Sequence, residues 1–143
     1  MNELVRIESI EDVKTYLARL RYALDHNAAI TVQRERQVDL QREERYTNKF
    51  TIADLFPDEA PEAAMRRELK KLTVADYMRT VKDIRFPNRS EMREFGKVYN
   101  GTDDVYIKIR VELVGINGTT TFVMSFHYAE RAFREEDFPY RNA

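Results

Sequence analysis

The sequence has no cysteine and only two histidines, His26 and His127. Without cysteine, the chain forms no disulfide bond and no thiolate metal site, and two histidines argue against a histidine-rich metal centre. No apolar run is long enough for a membrane-spanning helix, and no signal peptide is recognisable. These absences predict a cytoplasmic protein with no membrane partner and no metal or small-molecule cofactor.

A large net charge is also missing. The 24 Lys and Arg residues and the 25 Asp and Glu residues leave a formal net charge of −1. A chain with so little net charge has no overall field that attracts nucleic acid, so any anion site must be a local patch. Hydrophobic residues make up 43% of the 143 residues, which predicts a single globular domain over residues 1–143.

Residues 104–128 show the alternation of a β-hairpin. The dipeptide Asn117-Gly118 suits a two-residue type I′ turn, because both residues tolerate a positive φ. This turn predicts a register in which Leu113 lies opposite Phe122 and Ile107 lies opposite Tyr128. The predicted apolar face consists of Val105, Ile107, Ile109, Val111 and Leu113 with Phe122, Met124, Phe126 and Tyr128.

The other face of this hairpin carries an unusual set of polar side chains. The register places Lys108 opposite His127, with Tyr106 one diagonal step away and with Arg110 and Ser125 nearby. A phenol, an ammonium, a guanidinium, a hydroxyl and an imidazole on one rigid surface suggest a functional site. The alternative is an ordinary solvated face, on which Lys108 and Arg110 would pair with Glu94 or Glu112.

The rest of the chain predicts helices first and a sheet last. Ser9 with Asp12 resembles a capping box, and the following apolar spacing predicts a helix to about His26. Mixed charges over residues 33–45 indicate a solvated element or a mobile arm. The further predictions are a strand over 29–32, an edge strand over 46–50, helices over 61–72 and 73–84, and a strand over 95–99. Together they predict an α+β fold, with N-terminal helices packed on one face of a C-terminal antiparallel β-sheet.

Four short segments resemble motifs of the MqsR family of toxins, within the broader RelE-like fold. Leu72–Tyr77 (LTVADY) resembles that family's L-S-x-x-D-F, and Lys97–Tyr99 (KVY) resembles its D-V-Y strand. Val105–Ile109 (VYIKI) resembles V-Y-(I/L)-K-(I/L), and Val123–His127 (VMSFH) resembles (V/I)-x-S-F-(K/H). The segments occur in the same order and spacing as in the family, and residues 28–45 look like an insertion.

The resemblance implies an mRNA endonuclease toxin that a cognate protein antitoxin neutralises. The family's catalytic positions fall on Arg79, Tyr106, Lys108 and His127. Gly96 stands where the family has a glutamine. Lys97 is the candidate replacement for that glutamine. The remaining candidate RNA-binding residues are Arg110, Tyr99 and Ser125. Tyr99 is expected to face outward and stack on a base.

The expected reaction is attack by the ribose 2′-OH on its own phosphate, giving a 2′,3′-cyclic phosphate and a 5′-OH end. The alternative to this toxin is a non-enzymatic interaction or regulatory module with a toxin-like fold, such as an antitoxin-like protein or a phage adaptor. Because Gly96 replaces the family's glutamine, a third hypothesis is a toxin-like fold that has lost catalysis.

Overall fold

The computed structural model describes residues 2–34, 40–113 and 119–142, without the side chains of residues 113 and 119. Three α-helices are present within these ranges: α1 (Ile10–Asp25), α2 (Asn48–Leu55) and α3 (Pro61–Leu69). The strands are β1 (Glu3–Arg6), β2 (Ala29–Val32), β3 (Tyr77–Asp83), β4 (Met92–Tyr99), β5 (Asp103–Leu113) and β6 (Thr119–Tyr128). None of the described helices is both long and apolar enough to cross a lipid bilayer.

The six strands form one sheet in the order β1-β3-β4-β5-β6-β2. All neighbouring pairs are antiparallel except β2 and β6, which are parallel. The predicted α+β class is therefore confirmed. The predicted C-terminal antiparallel sheet is correct for β3 to β6. It is incomplete because β1 and β2, from the first 32 residues, form the two edges, and β2 is parallel to β6.

The helices share one hydrophobic core with one face of the sheet. The Ser9 hydroxyl accepts a hydrogen bond from the Asp12 amide at 3.2 Å and starts α1 where the sequence predicts it. From the helices this core takes Val13, Leu17, Leu20, Leu24, Ile52, Ala64, Met65 and Leu69. From the sheet it takes Tyr77, Phe95, Val105, Ile107, Ile109, Val123, Phe126 and Tyr128. We call the opposite side of the sheet the open face.

The β5–β6 pair has a different register from the predicted one. Tyr106 lies opposite His127 and Lys108 lies opposite Ser125, so the prediction that Lys108 faces His127 is wrong. An irregularity after Lys108 leaves Met124 as an extra residue, and Val123 then pairs with Ile109 on the core side. Phe122 consequently lies opposite Arg110 on the open face. The predicted turn at 117–118 lies outside the described residues.

Two further segments differ from the prediction. The predicted helix over 73–84 is a single 3-10 turn, Val74–Asp76, followed by strand β3. The capping box of Thr73 and Asp76 is present, but it caps that one turn. The predicted strand over 46–50 is instead the end of a 3-10 turn, Glu44–Tyr46, followed by the start of α2. The N-cap Thr47 accepts a hydrogen bond from the Phe50 amide at 3.1 Å.

Helix α2 fixes the end of β6 that carries His127. Strand β2 pairs with β6 only from Thr120 to Val123. Beyond that point, Asn48 bonds the Met124 carbonyl and the Phe126 amide, each at 3.0 Å. The Thr51 hydroxyl accepts from the Tyr128 amide at 3.0 Å. Within the part of the chain that the structure describes, these side chains supply the hydrogen-bond partners for β6 beyond the end of β2, because buried backbone groups need a partner.

Candidate active site on the open face

A cavity of about 780 Å³ lies where the open face meets the segment that follows β6. Its sheet-side wall includes Arg79, Glu94, Tyr106 and His127, and its other wall includes residues 129–134. The strand register explains this grouping. Arg79, Glu94, Lys108 and Ser125 form one row across β3 to β6, and Gly96, Tyr106 and His127 form the next row.

Glu94 is the centre of this site. Its side chain is only 3% exposed, and its carboxylate accepts a hydrogen bond of 2.7 Å from Nε of Arg79. Nζ of Lys108 lies 3.9 Å from Oε2 of Glu94, and the same carboxylate interacts electrostatically with the Tyr106 hydroxyl. A buried carboxylate needs such partners, because an unpaired charge is costly to remove from water.

Tyr106 and His127 form a ring pair in the cavity wall. Their ring centroids are 5.3 Å apart. Burial, and next the negative charge of Glu94, raise the pKa of Tyr106 well above its usual range. The phenol therefore stays protonated at neutral pH and acts as a hydrogen-bond donor.

The tautomer of His127 follows from its backbone contact. Nδ1 lies 2.8 Å from the Tyr128 carbonyl oxygen. A carbonyl can only accept, so Nδ1 carries a proton and Nε2 is the basic nitrogen of the neutral ring. The imidazole is 6% exposed but lines the cavity together with Tyr106.

Of the two cations beside Glu94, Arg79 is more exposed than Lys108. Its side chain is 45% exposed, and the hydrogen bond to Glu94 raises its pKa above the ordinary arginine value. Its contacts with Glu94 use Nε and, at 3.5 Å, Nη2. The prediction placed Arg79 on a helix, whereas it projects from β3, and the strand is what brings it beside Glu94.

The structure brings five of the eight predicted site residues together: Arg79, Tyr106, Lys108, Ser125 and His127. Ser125 is buried opposite Lys108. Arg110 also lies on the open face, but it is paired with Glu112 and its guanidinium lies over the Phe122 ring at 4.5 Å. It is not among the residues that line the cavity.

Lys97 and Tyr99 do not belong to the site. They alternate with Gly96 along β4 and therefore point to the helix side of the sheet. Lys97 lies 3.3 Å from Asp76, so it does not replace the missing glutamine. The prediction of an outward-facing Tyr99 is wrong, because its ring packs edge-on against Phe56 and Phe126 and its hydroxyl donates to Glu68 at 2.9 Å.

Sequence reasoning treated Glu94 only as an ion-pair partner and missed its central place. The predicted strand began at Phe95, one residue too late to include it. Every second residue of a strand lies on the same side. Extending the predicted strand back to Met92 would have placed Glu94 on the side of Gly96 and Val98.

Among residues 2–34, 40–113 and 119–142, no cluster of three or more His, Asp or Glu side chains is arranged to hold a metal ion. Comparisons of the chain with protein-family models, with curated proteins and with solved structures gave no match.

Proposed function

We propose that this protein is an endoribonuclease toxin that cleaves mRNA without a metal ion and is neutralised by a cognate antitoxin. The observation that carries the proposal is the pairing of Tyr106 and His127, a phenol and a basic imidazole nitrogen in the wall of one cavity. Arg79 adds a cation to that wall, and Lys108 lies beside it against Glu94. The motif resemblance supports the same activity, because its catalytic positions fall on these residues.

The reaction uses a nucleophile that RNA itself supplies. The 2′-oxygen loses its proton and attacks the adjacent phosphorus, the bond between phosphorus and the 5′-oxygen breaks, and the 5′-oxygen gains a proton. The products are a 2′,3′-cyclic phosphate and a 5′-OH end. The protein needs to supply positioning, charge stabilisation and proton transfer, and no oxidant or reductant is involved.

In the proposed reaction, three side chains have separate roles. Nε2 of His127 accepts the 2′-OH proton, and imidazole has an intrinsic pKa suited to this task near neutral pH. The protonated Tyr106 hydroxyl donates to the departing 5′-oxygen, and the neighbouring imidazolium returns the proton. Arg79 binds the non-bridging phosphate oxygens, because a guanidinium can donate to two oxygens at once.

The experiment compares two tyrosine–histidine ring pairs. His127→Ala and Tyr106→Phe are expected to lower kcat/KM for RNA cleavage by about 10²–10⁴-fold, as removal of an acid–base group does. The matched controls are His26→Ala and Tyr22→Phe, which alter the ring pair at the C-terminal end of α1, with centroids 3.9 Å apart. Equal activity in all four variants would reject the assignment.

A second candidate is a binding module without catalysis. The observation that favours it is that Glu94 neutralises part of the positive charge of Arg79 and Lys108. Only a modest positive charge is then left to attract RNA. For such a module, the purified protein leaves RNA intact, and expression in bacteria does not arrest growth. Growth arrest that Tyr106→Phe relieves, and that co-expression of an adjacent antitoxin gene suppresses, favours the toxin.

A further inference from the structure

Glu94 connects the two strands that flank β4 through contacts of its side chain. Three side chains with different chemistry converge on it: Arg79 from β3, and Tyr106 and Lys108 from β5. The first two of these line the cavity together with Glu94 itself. One carboxylate on β4 therefore contacts the groups that the proposed reaction uses on both neighbouring strands.

The geometry points to Glu94 as the positioning residue of the phosphate site, an inference that rests on the proposed function. Glu94 holds Nε of Arg79, so that the guanidinium faces the cavity before RNA arrives. Its carboxylate also interacts with the Tyr106 hydroxyl in the same wall. Preorganised donors are worth more than mobile ones, because they need no reorganisation in the transition state.

The contacts of Arg79 agree with this role. Glu94 engages the Nε side of the guanidinium at 2.7 Å and reaches Nη2 only at 3.5 Å. The Nη1 group is thereby left for a phosphate oxygen in the cavity. The side chain is also 45% exposed, so a ligand can reach it without unfolding the sheet.

The charges agree as well. One carboxylate and two cations, Arg79 and Lys108, leave this cluster with one net positive charge while Tyr106 stays neutral. A phosphodiester carries one negative charge, so the cluster matches a single backbone phosphate of RNA. Replacement of Glu94 by a neutral residue would increase the positive charge, which favours RNA binding, but would disorder the donors, which slows cleavage. The two effects have opposite signs, so the kinetics can distinguish a loss of positioning from a change in charge.

The chain contains a closely matched control. Glu68 is also a buried carboxylate, 4% exposed, and its partners are likewise an arginine Nε, a lysine and a tyrosine hydroxyl: Arg67 at 2.8 Å, Lys71 at 3.0 Å and Tyr99 at 2.9 Å. This cluster lies on the helix side of the sheet and away from the cavity. A general loss of stability should affect both clusters, whereas loss of positioning should affect only Glu94.

The kinetic test compares Glu94→Gln, Glu94→Asp and Glu68→Gln in the full chain with a defined RNA substrate. We expect Glu94→Gln to lower kcat at least tenfold while KM changes by less than about threefold, because extra positive charge favours binding while the donors lose their alignment. Glu94→Asp should recover part of the rate, and Glu68→Gln should stay near the wild type. Wild-type kcat in Glu94→Gln, or an equal loss in Glu68→Gln, would overturn the inference.

A second measurement separates this inference from the proposed activity. The Nε–H group of Arg79 should give an exchange-protected signal in the ¹⁵N–¹H spectrum, assigned by its absence in Arg79→Lys. This signal should exchange at least tenfold faster in Glu94→Gln, since the amide is a weaker acceptor than a carboxylate. If the wild type fails to cleave RNA, the proposed function is rejected. The exchange rate of the Arg79 Nε–H group then tests by itself whether Glu94 positions Arg79. An unchanged exchange rate in Glu94→Gln would reject that role even in an active enzyme.

Discussion

At the scale of single residues, Glu8 shows how the helix side of the sheet holds a charge. Its side chain is 6% exposed and accepts hydrogen bonds from Arg93 at 2.9 and 3.1 Å and from the Thr80 hydroxyl at 2.5 Å. Burial by itself would raise the pKa of Glu8. The hydrogen bonds from Arg93 and Thr80 outweigh burial, so the pKa is lowered overall.

Glu8→Ala should therefore destabilise the protein at neutral pH. We expect a loss of roughly 3 kcal/mol in the free energy of unfolding, because Arg93 then remains mostly buried without its carboxylate. The control is Glu11→Ala, which removes an 80% exposed carboxylate that lies 4.0 Å from Lys14. Exposed pairs of this kind contribute about 0–1 kcal/mol.

The same variant gives a pH dependence with a definite sign. An unfolded glutamate has a pKa near about 4.3, and Glu8 has a lower pKa in the folded protein. Its contribution to stability is thus complete above about pH 4.3 and disappears as the pH falls through the folded pKa. Urea titrations at several pH values should show the difference between Glu8→Ala and the wild type shrinking in acid. A difference that stays constant down to pH 2 would contradict this account.

At the scale of elements, the segment after β6 is fastened to the open face at Gly96. A Cβ atom on Gly96 would lie 2.7 Å from Cε2 of Phe133 and 2.9 Å from Cζ of Phe138. The two phenyl rings also pack edge-on against each other, with centroids 5.4 Å apart. No side chain fits at position 96 unless these rings move, and Phe133 is part of the cavity wall.

Gly96→Ala should therefore loosen the segment that forms the outer wall of the cavity. We expect a loss of about 1–3 kcal/mol, as for other overpacked sites, and faster amide exchange over residues 129–142. Val98→Ala is the control, because Val98 lies on the same side of β4 but is 50% exposed. Unchanged exchange in Gly96→Ala would show that the segment is not fastened there.

Local patterns in the sequence predicted several elements well. The Ser9 cap and the apolar spacing gave α1 almost to its last residue, since both signals are local. Alternation placed Tyr106, Lys108 and His127 on one side of the hairpin, as the structure does. The register failed because Phe122 and Met124 are apolar and suit either face, so alternation does not reveal that Met124 is an extra residue.

Strand β3 failed for a different reason. The capping box of Thr73 and Asp76 exists but is compatible with one turn as well as with a long helix. The following Thr80 and Val81 are β-branched and pair with Arg93 and Met92 of β4, a long-range contact that decides the outcome. The alternation along β4 could have placed Glu94 on the side of Gly96, but the pairing that brings Arg79 beside Glu94 was not visible from local sequence.

At the scale of the whole molecule, the sheet has two unlike faces. One face forms the core with the three helices, and the open face holds the Arg79–Glu94–Lys108 cluster and the Tyr106–His127 pair. The α2 side chains and β2 complete the outer edge of β6, so His127 lies on a fixed element. The charged groups of the proposed site therefore lie on the side of the sheet opposite the three helices.

The most direct test of the proposed activity is to map the RNA ends that the purified protein produces in excess chelator. The account predicts cleavage to 2′,3′-cyclic phosphate and 5′-OH ends by the wild type, and none by the double variant Tyr106→Phe with His127→Ala. Intact RNA after incubation with the wild type, 5′-phosphate ends, or equal cleavage by the double variant would contradict it.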